Sequence, residues 1–447
     1  MVFFVGVGFH AGAEPQAAAP RPNIVLIMAD DLGYGDLSCY GSDFIKTPNI
    51  DALAKAGIRF TDYHSNGAVC SPTRASLMTG RYPQRTGVEG VITAHHHRAV
   101  GLPLDEVTIA EVLKDAGYAT AIFGKWHLGY DVEKFGPLKQ GFDTFEGFVS
   151  GNVDYFNKID QQGYKDWWIG EELKHVDGYV TDLINDRGVA WIARQSKENK
   201  GQPFFLYLAH GAPHYPLQGP DDEGFREVGK RVRQPEVDAK LKYKQMIESM
   251  DAGIGRVVAE LEKRGLRENT LIIFCSDNGQ AGRGPGSAGA LRGSKGTVYE
   301  GGHRVPMVMS GAGIEQAGEV SDTLMVGMDL MPTLASFVGA ELPKGLELDG
   351  VSLMSPTPWP GRELHWVHGD ASAFRQGHWK LVMNGEGKPE LYKLTKETGG
   401  FVGGERNNDL GETNDLADLH PERVKQMQEA HERWLEEVRE GVDKVSG

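Results

Sequence analysis

Asn23-Ile24-Val25-Leu26-Ile27-Met28-Ala29-Asp30-Asp31-Leu32-Gly33 is an almost wholly apolar run that stops abruptly at an acidic pair and a turn. A run of this length without alternation reads as a strand buried on both faces, the habit of parallel strands covered by helices. The same form recurs at Ala119 to Phe123 before Gly124-Lys125-Trp126-His127, at Phe204 to Leu208 before His210 and His214, and at Leu271 to Cys275 before Ser276-Asp277-Asn278-Gly279. Helical patterns lie between them. Thr108-Ile109-Ala110-Glu111 has the form of a capping box, opening a helix that Gly117 should stop. Tyr243, Met246, Ile247, Met250, Ile254, Val257, Val258 and Leu261 recur at helical spacing up to Gly265, which makes the two methionines core residues. Strands alternating with helices predict an α/β fold, a doubly wound, mostly parallel sheet flanked by helices. Ligands of such sheets gather outside the carboxyl ends of the strands, so the four polar clusters should meet at one edge.

With 447 residues the chain exceeds a single hydrophobic core. Residues 23–360 read as the large unit. Beyond about Pro360, His365 to His368, Trp379 to Met383 and Glu390 to Leu394 look like short antiparallel strands. A glycine-rich stretch follows around Gly399 to Gly404, then a helical stripe from Arg423 to Arg439. Residues 361–447 are therefore expected to form a smaller C-terminal α+β subdomain with a short antiparallel sheet. Residues 1–22 read as a truncated signal peptide or disordered leader: an apolar run, Val2 to Phe9, ends in Ala11-Gly12-Ala13 without a basic start. Export, to the periplasm or beyond the cell, is the expectation. No apolar stretch has the eighteen or so residues of a membrane span. The net charge of -15 argues against nucleic acid as the main partner, and an anionic ligand would need a local positive pocket. Three cysteines, Cys39, Cys70 and Cys275, cannot build a disulfide framework.

Asp30, Asp31, Asp277 and Asn278 form two pairs far apart in sequence, each just past a strand. Four such oxygens plus a nucleophile oxygen would suit Ca²⁺, with Mg²⁺ as the alternative. Asp36 should serve its own loop. Lys125 and His127, two apart on an extended segment, should point the same way, with Trp126 turned into the packing. Prolines on both sides hold His214, and His210 is the less certain partner. Lys295 lies in a glycine-rich loop, Arg292-Gly293-Ser294-Lys295-Gly296, where lysine and backbone can approach an anion. Each feature alone also has a plain structural reading: a turn, a solvated face, an idle lysine. Cys70, in Cys70-Ser71-Pro72-Thr73-Arg74, likewise reads as either a buried structural cysteine or a nucleophile precursor.

Taken together and in order, Asp-Asp-Leu-Gly-Tyr-Gly-Asp, Cys-Ser-Pro-Thr-Arg, Gly-Lys-Trp-His, Ala-Pro-His, Ser-Asp-Asn-Gly and Arg-Gly-Ser-Lys leading to Glu-Gly-Gly-His-Arg-Val-Pro resemble the type I sulfatases of the alkaline-phosphatase superfamily. The resemblance covers nearly the whole chain. Thr73 stands where serine is commoner, and His303 where an aliphatic residue is often found. The resemblance implies that a formylglycine-generating enzyme oxidises Cys70 to formylglycine, whose hydrate attacks sulfur and later expels sulfate. It makes Cys70 the nucleophile, held by Arg74 at the start of a helix opened by Pro72 and bound to the cation with Asp30, Asp31, Asp277 and Asn278. Lys125 and Lys295 would hold sulfate oxygens, His214 would protonate the leaving alcohol, and His127 would release sulfate. A carbohydrate O-sulfate from a sulfated glycan is the expected substrate. His95, His96, Trp167 and His368 are candidate contacts; adjacent histidines with alternating directions do not make a metal site of His95-His96-His97. Two rivals remain at this level: a phosphodiesterase or phosphonate monoester hydrolase of the same superfamily, and a non-catalytic glycan-binding relative with an unoxidised cysteine.

Overall fold

A computed structural model describes residues 21–315, 317–355, 361–394, 401–402, 405–406 and 409–445. Residues 1–20 of the expected leader and 356–360 at the expected domain boundary lie outside the described residues. So does the glycine-rich stretch 399–404, except Phe401–Val402.

The opening run is strand β1 (Asn23–Ala29), and it is buried throughout. Along the chain follow α1 (Pro48–Lys55), β2 (Gly57–Phe60), β3 (Tyr63–His64), α2 (Cys70–Thr79), α3 (Ile109–Asp115) and β4 (Ala119–Lys125). Next come α4 (Val132–Phe135), β5 (Thr144–Phe148), β6 (Trp168–Ile169), β7 (Glu172–Leu173), α5 (Val180–Glu198), β8 (Phe204–Ala209) and α6 (Ala239–Lys263). The large unit continues through β9 (Thr270–Ser276), α7 (Glu300–His303), β10 (Met307–Gly311), β11 (Glu319–Ser321), β12 (Met325–Val326) and α8 (Leu330–Val338). Strands β13 (Glu363–His368), β14 (Ala371–Gln376), β15 (Trp379–Asn384) and β16 (Glu390–Lys393), with helix α9 (Pro421–Arg439), follow.

The main sheet runs β11-β2-β10-β9-β1-β8-β4-β5-β6-β7. Its centre, β9-β1-β8-β4-β5, is parallel, and antiparallel pairs flank it at β10–β9, β10–β2, β5–β6 and β6–β7. Alternate residues of β1 explain the unbroken apolar run. Ile24, Leu26 and Met28 join one core with α2, α3 and α8, while Val25, Ile27 and Ala29 join a second with α1, α5 and α6. Both faces exclude water, and each fully buried Ile or Leu contributes about 1.5–3 kcal/mol relative to exposure. The Thr108–Glu111 capping box is present, and Gly117 and Gly265, both at positive φ, follow the ends of α3 and α6. Met246 and Met250 are fully buried.

The fifth parallel strand, β5, has no counterpart in the apolar-run reading. Thr144-Phe145-Glu146-Gly147-Phe148 carries a glutamate and a glycine, so periodicity alone does not mark it. Strands β13 to β16 form a four-stranded antiparallel sheet. One face, with Leu364, Trp366, Ala373, Val382 and Tyr392, packs on the large unit at Tyr82, Val298, Val326 and Met328. The other, with Phe374, Leu381 and Leu391, packs on Met427 of α9. Among the described residues no helix is long and apolar enough to cross a membrane.

Candidate active site

The carboxyl ends of β1, β4, β8 and β9 bring the polar clusters to one edge, as parallel strands must. Asp30 and Asp31 follow β1, Lys125 ends β4, His210 and His214 follow β8, and Asp277 and Asn278 follow β9. Helix α2 aims its N-terminus into the same place. It begins at Cys70 itself, with Val69 as the cap, rather than at Pro72, and Gly80 at φ 69° closes it. All ten of its residues are buried.

Cys70 Sγ lies 3.3 Å from Lys295 Nζ and 3.5 Å from Asp30 Oδ1. Lys125 Nζ donates to Asp30 Oδ2 at 2.6 Å, Lys295 Nζ to Asp31 Oδ1 at 2.6 Å, and Arg74 to Asp277 Oδ2 at 2.9 Å. Burial alone would push the Cys70 thiol up, but the Lys125 and Lys295 ammoniums outweigh it and bring it down to about 6. Burial, and then the Asp30 carboxylate, push the Asp277 carboxyl up to about 6. Asp31 goes the other way, because Lys295 and His214 overcome the effect of its burial.

Asn278 is wholly buried; its Nδ2 donates to Asp31 Oδ1 at 2.7 Å, and its Oδ1 has no hydrogen-bond partner. A buried amide oxygen left bare beside three carboxylates is a cost unless something positive meets it. Ligand atoms of Asp30, Asp31, Cys70 and His214 also lie within 4.8 Å of one another. This oxygen-rich set, Asp30, Asp31, Asp277 and Asn278, fits a hard divalent cation.

Two histidines face each other across the site with opposite preparation. His214 Nδ1 donates to the Tyr215 carbonyl at 2.7 Å, which turns Nε2 toward Asp31 Oδ2 at 3.6 Å. The Asp31 carboxylate outweighs burial and raises its pKa. His127 Nε2 donates to the Ile92 carbonyl at 3.1 Å, so the lone pair is on Nδ1, a buried atom with no partner. Burial and the neighbouring Lys125 and Arg74 hold His127 well below its ordinary pKa. Strand alternation does not place it. Lys125 is the last residue of β4, and His127 sits at φ 57°, so a left-handed turn delivers the imidazole. Gly151 packs on that ring; a Cβ there would lie 2.9 Å from it. Trp126 is turned away, its indole N–H bonded to the Phe135 carbonyl. Asp36 accepts from Gly33 of its own loop but also from Ser287 N and the Tyr243 hydroxyl of α6, so it ties that loop to two distant segments. His210 is fully buried with both ring nitrogens bare, and burial pushes its pKa down to about 3.

Above this floor opens a cavity of about 340 Å³ whose wall includes Cys70, His127, His214 and Lys295. His95 and His96 line it as well. They belong to a turn rather than a strand, which brings their rings within 4.1 Å of each other, while His97 Nδ1 is tied to Thr93. Trp167 is not a wall residue: it is packed in the core against α5 with its indole N–H on Glu146. His368 is not on the wall either. It abuts Gly296, beside Lys295, 3.6 Å from where a Cβ would stand. Among the wall residues that the sequence does not mark are Tyr130, Ser150, Asn152, Asp160, Gln161 and Tyr215. Ser150 and Asn152 follow β5, so recognising that strand was the available signal.

A model of the family described as Sulfatase matches residues 22–340. Human arylsulfatase A is 38% identical over 373 residues, covering 76% of this chain and 68% of that protein. Human N-acetylgalactosamine-6-sulfatase is 35% identical over 380 residues, covering 79% and 68% respectively. The solved structure of Ps i-CgsB in complex with k-i-k-neocarrahexaose superposes with a TM-score of 0.83 at 30% identity, covering 95% of this chain and 94% of that one. The chain belongs to the type I sulfatase family and is a sulfuric ester hydrolase.

Proposed function

We propose that the protein hydrolyses a carbohydrate O-sulfate from a sulfated glycan, with residue 70 oxidised to formylglycine and a divalent cation bound at its edge. The observation that carries this reading is the cavity floor: Cys70, at the N-terminus of α2, lies between Lys295 and Asp30 beneath a cavity of about 340 Å³. As its hydrate, formylglycine supplies two hydroxyls on one carbon, one to attack sulfur and one to release sulfate. A cation held by Asp30, Asp31, Asp277 and Asn278, Ca²⁺ or Mg²⁺, supplies positive charge beside the residue-70 oxygen.

The chain's own groups do the rest. Lys125 and Lys295 neutralise sulfate oxygens as charge develops, and the positive end of α2 adds to them. Arg74, anchored on Asp277 and on the Lys125 carbonyl at 3.2 Å, braces the nucleophile from inside. His214 presents Nε2 to the cavity and gives its proton to the leaving alcohol. His127, with Nδ1 bare, takes the proton of the second hydroxyl when sulfate departs. Ser150, Asn152, Gln161 and Gln162 offer hydroxyl and amide groups for sugar hydroxyls, and His95 and His96 form the outer wall. That one similar protein is an N-acetylgalactosamine-6-sulfatase and another is solved in complex with a neocarrahexaose supports a glycan over a simple aryl ester.

The test is sulfate release from a panel of defined sulfated mono- and oligosaccharides, run beside matched aryl sulfate and aryl phosphate esters. Mass measurement of the residue-70 peptide accompanies it. A dominant phosphoesterase rate would overturn the sulfate reading. An intact thiol in active protein would overturn the formylglycine.

A further inference from the structure

A second buried ionic cluster lies outside the cavity, between the large unit and the C-terminal sheet. Asp62, Glu300 and Glu412 face Arg304, Arg375 and Lys380, all of them buried. Arg375 binds Asp62 through two nitrogens, at 2.8 and 2.7 Å, and Arg304 binds Glu300 at 2.9 Å. Lys380, on β15, is ion-paired to two carboxylates, Glu300 Oε1 and Glu412 Oε1, each at 2.9 Å, as Arg304 is to Glu300 and Asp62. Lys380 also donates to His303 Nε2 at 3.1 Å. His303 Nε2 also lies 3.2 Å from the Val298 carbonyl, its Nδ1 faces His64 Nδ1 at 2.9 Å, and His64 Nε2 meets both Asp62 and Arg375 at 3.0 Å. His64, Glu300 and His303 could otherwise bring three ligand atoms to one metal; the ammonium and guanidinium groups already fill that role.

Glu300 and His303 are the ends of α7, a single helical turn, and that turn touches three active-site segments through its backbone. The His303 carbonyl accepts from Ser65 N at 2.7 Å, in the segment leading into Cys70. The Gly302 carbonyl accepts from Gly279 N at 2.9 Å, next to Asn278. Gly301 N donates to the Arg292 carbonyl at 2.6 Å, in the loop bearing Lys295. The contacts are so close that a Cβ at Gly279 would lie 1.9 Å from the Gly301 carbonyl oxygen, and one at Gly302 would lie 1.9 Å from that of Thr297. The subdomain grips the same turn from outside. Glu412 Oε2 accepts from Glu300 N at 2.7 Å, and Trp366 of β13 stacks on His303 with ring centres 4.1 Å apart. Its indole N–H donates to the Ser65 carbonyl at 2.8 Å. From Ser65 the connection to the nucleophile is short: its hydroxyl bonds the Gly67 carbonyl, and Gly67 N bonds Thr73 in the first turn of α2.

We propose that Lys380 and Trp366 of the C-terminal sheet are positioning residues for the sulfatase centre, setting through α7 the places of residue 70, Asn278 and Lys295. The subdomain is then part of the catalytic apparatus, although among the described residues it contributes no side chain to the cavity wall.

The inference rests on the sulfatase reading, and wild-type turnover of an aryl sulfate tests that reading first. Full-length Lys380→Met, Lys380→Arg and Trp366→Phe are then compared for thermal midpoint, formylglycine content by mass, kcat, KM and inhibition by inorganic sulfate. The expected result is that Lys380→Met, at equal formylglycine content and well below its midpoint, loses tenfold or more in kcat and binds sulfate several-fold more weakly, with Lys380→Arg partly restoring both. A merely structural lysine would lower the midpoint and leave kcat and sulfate inhibition at wild-type values, which would overturn the proposal. Should Lys380→Met fail to fold, Trp366→Phe decides: it keeps an aromatic ring against His303 and loses the bond to Ser65 together with part of the buried indole's packing, which the thermal midpoint reads separately. A several-fold fall in kcat supports the proposal, and unchanged kcat and sulfate inhibition overturn it.

Discussion

The cavity floor and the interdomain cluster are built from the same parts: buried carboxylates, lysine and arginine, and two histidines. They differ in how completely those parts are used. Around α7, Arg375 grips Asp62 with two nitrogens, Lys380 is ion-paired to two carboxylates, and both histidines have polar neighbours at both ring nitrogens; Glu412 Oε1, beside Lys380, is an atom there without an aligned hydrogen bond. At the floor, Asn278 Oδ1 and His127 Nδ1 are bare and one side opens to the cavity. Buried charge alone therefore does not mark a catalytic centre. What marks it is charge arranged with something still to bind, because a satisfied network has no reason to hold a substrate.

The sharpest way to break this contrast is to remove one group from each side. Cys70→Ala should lower aryl sulfate turnover by about 10⁴-fold or more while the thermal midpoint barely moves, since loss of the proposed nucleophile is a transition-state effect. A midpoint collapse would show that the floor is structural as well. Asp62→Ala should do the opposite. It leaves Arg375 and Arg304 without their shared carboxylate, at about 3–5 kcal/mol read from denaturant unfolding. An unfolding free energy close to wild type would remove the claim that the interdomain cluster is a closed, mutually dependent set.

Metal addition sharpens the same contrast. Millimolar Ca²⁺ or Mg²⁺ should stabilise the protein by about 2–3 kcal/mol when it reaches a hundredfold excess over its dissociation constant, and a chelator should reverse it. Asp31→Ala should abolish the response, whereas Glu300→Gln, in the closed cluster, should keep it. A response that survives Asp31→Ala would place the ion elsewhere.

A pH effect of smaller size should come from the C-terminal subdomain. His365 is stacked between Phe374 and Trp434 and bonded to His431 Nδ1 at 2.9 Å. Burial, then His431, push His365 down to about 2; burial, then Arg439, push His431 down to about 4. Both folded-state values lie below the ordinary 6.5, so the unfolded chain takes up protons first as pH falls. The stability of these neutral histidines is present above pH 6.5 and is lost as pH drops through the window from 6.5 toward 4, at about 1 kcal/mol per histidine per pH unit. Unfolding curves at pH 7.5, 6 and 5 should follow that slope, and His431→Gln should flatten it. A slope that His431→Gln leaves unchanged would assign the effect to other groups.

The smallest effect is expected at the cavity's outer wall. His96→Ala should raise KM for sulfated sugars about two- to five-fold, with aryl sulfate turnover unchanged, because in the proposed function the wall meets the sugar and the floor meets the sulfate. Loss of aryl sulfate turnover as well would move His96 from the wall into the reacting centre.

Much of the fold was legible because burial on two faces leaves a plain mark, the unbroken runs at β1, β4, β8 and β9. β5 was not, since its glutamate and glycine break the run, and Ser150, Asn152 and the wall beyond them were lost with it. The convergence of Asp30, Lys125, His214 and Asp277 could be anticipated from one rule about the carboxyl ends of parallel strands. Trp167 illustrates the opposite error: a tryptophan reads as a substrate contact until packing puts its ring in the core. His303 carried no readable signal, because its role depends on Lys380, 77 positions further on.

By itself, the sequence determined the parallel sheet, the strand-end clusters and the family. These follow from local periodicity and from motifs whose members are near neighbours along the chain. Tertiary structure alone decided which nitrogen of His127 is bare, that His95 and His96 share the wall, and that the C-terminal sheet holds the turn bearing Glu300 and His303. Each of these depends on contacts between residues tens to hundreds of positions apart. No pattern within a segment encodes such a contact; it exists only once the hydrophobic faces have packed and set the distances.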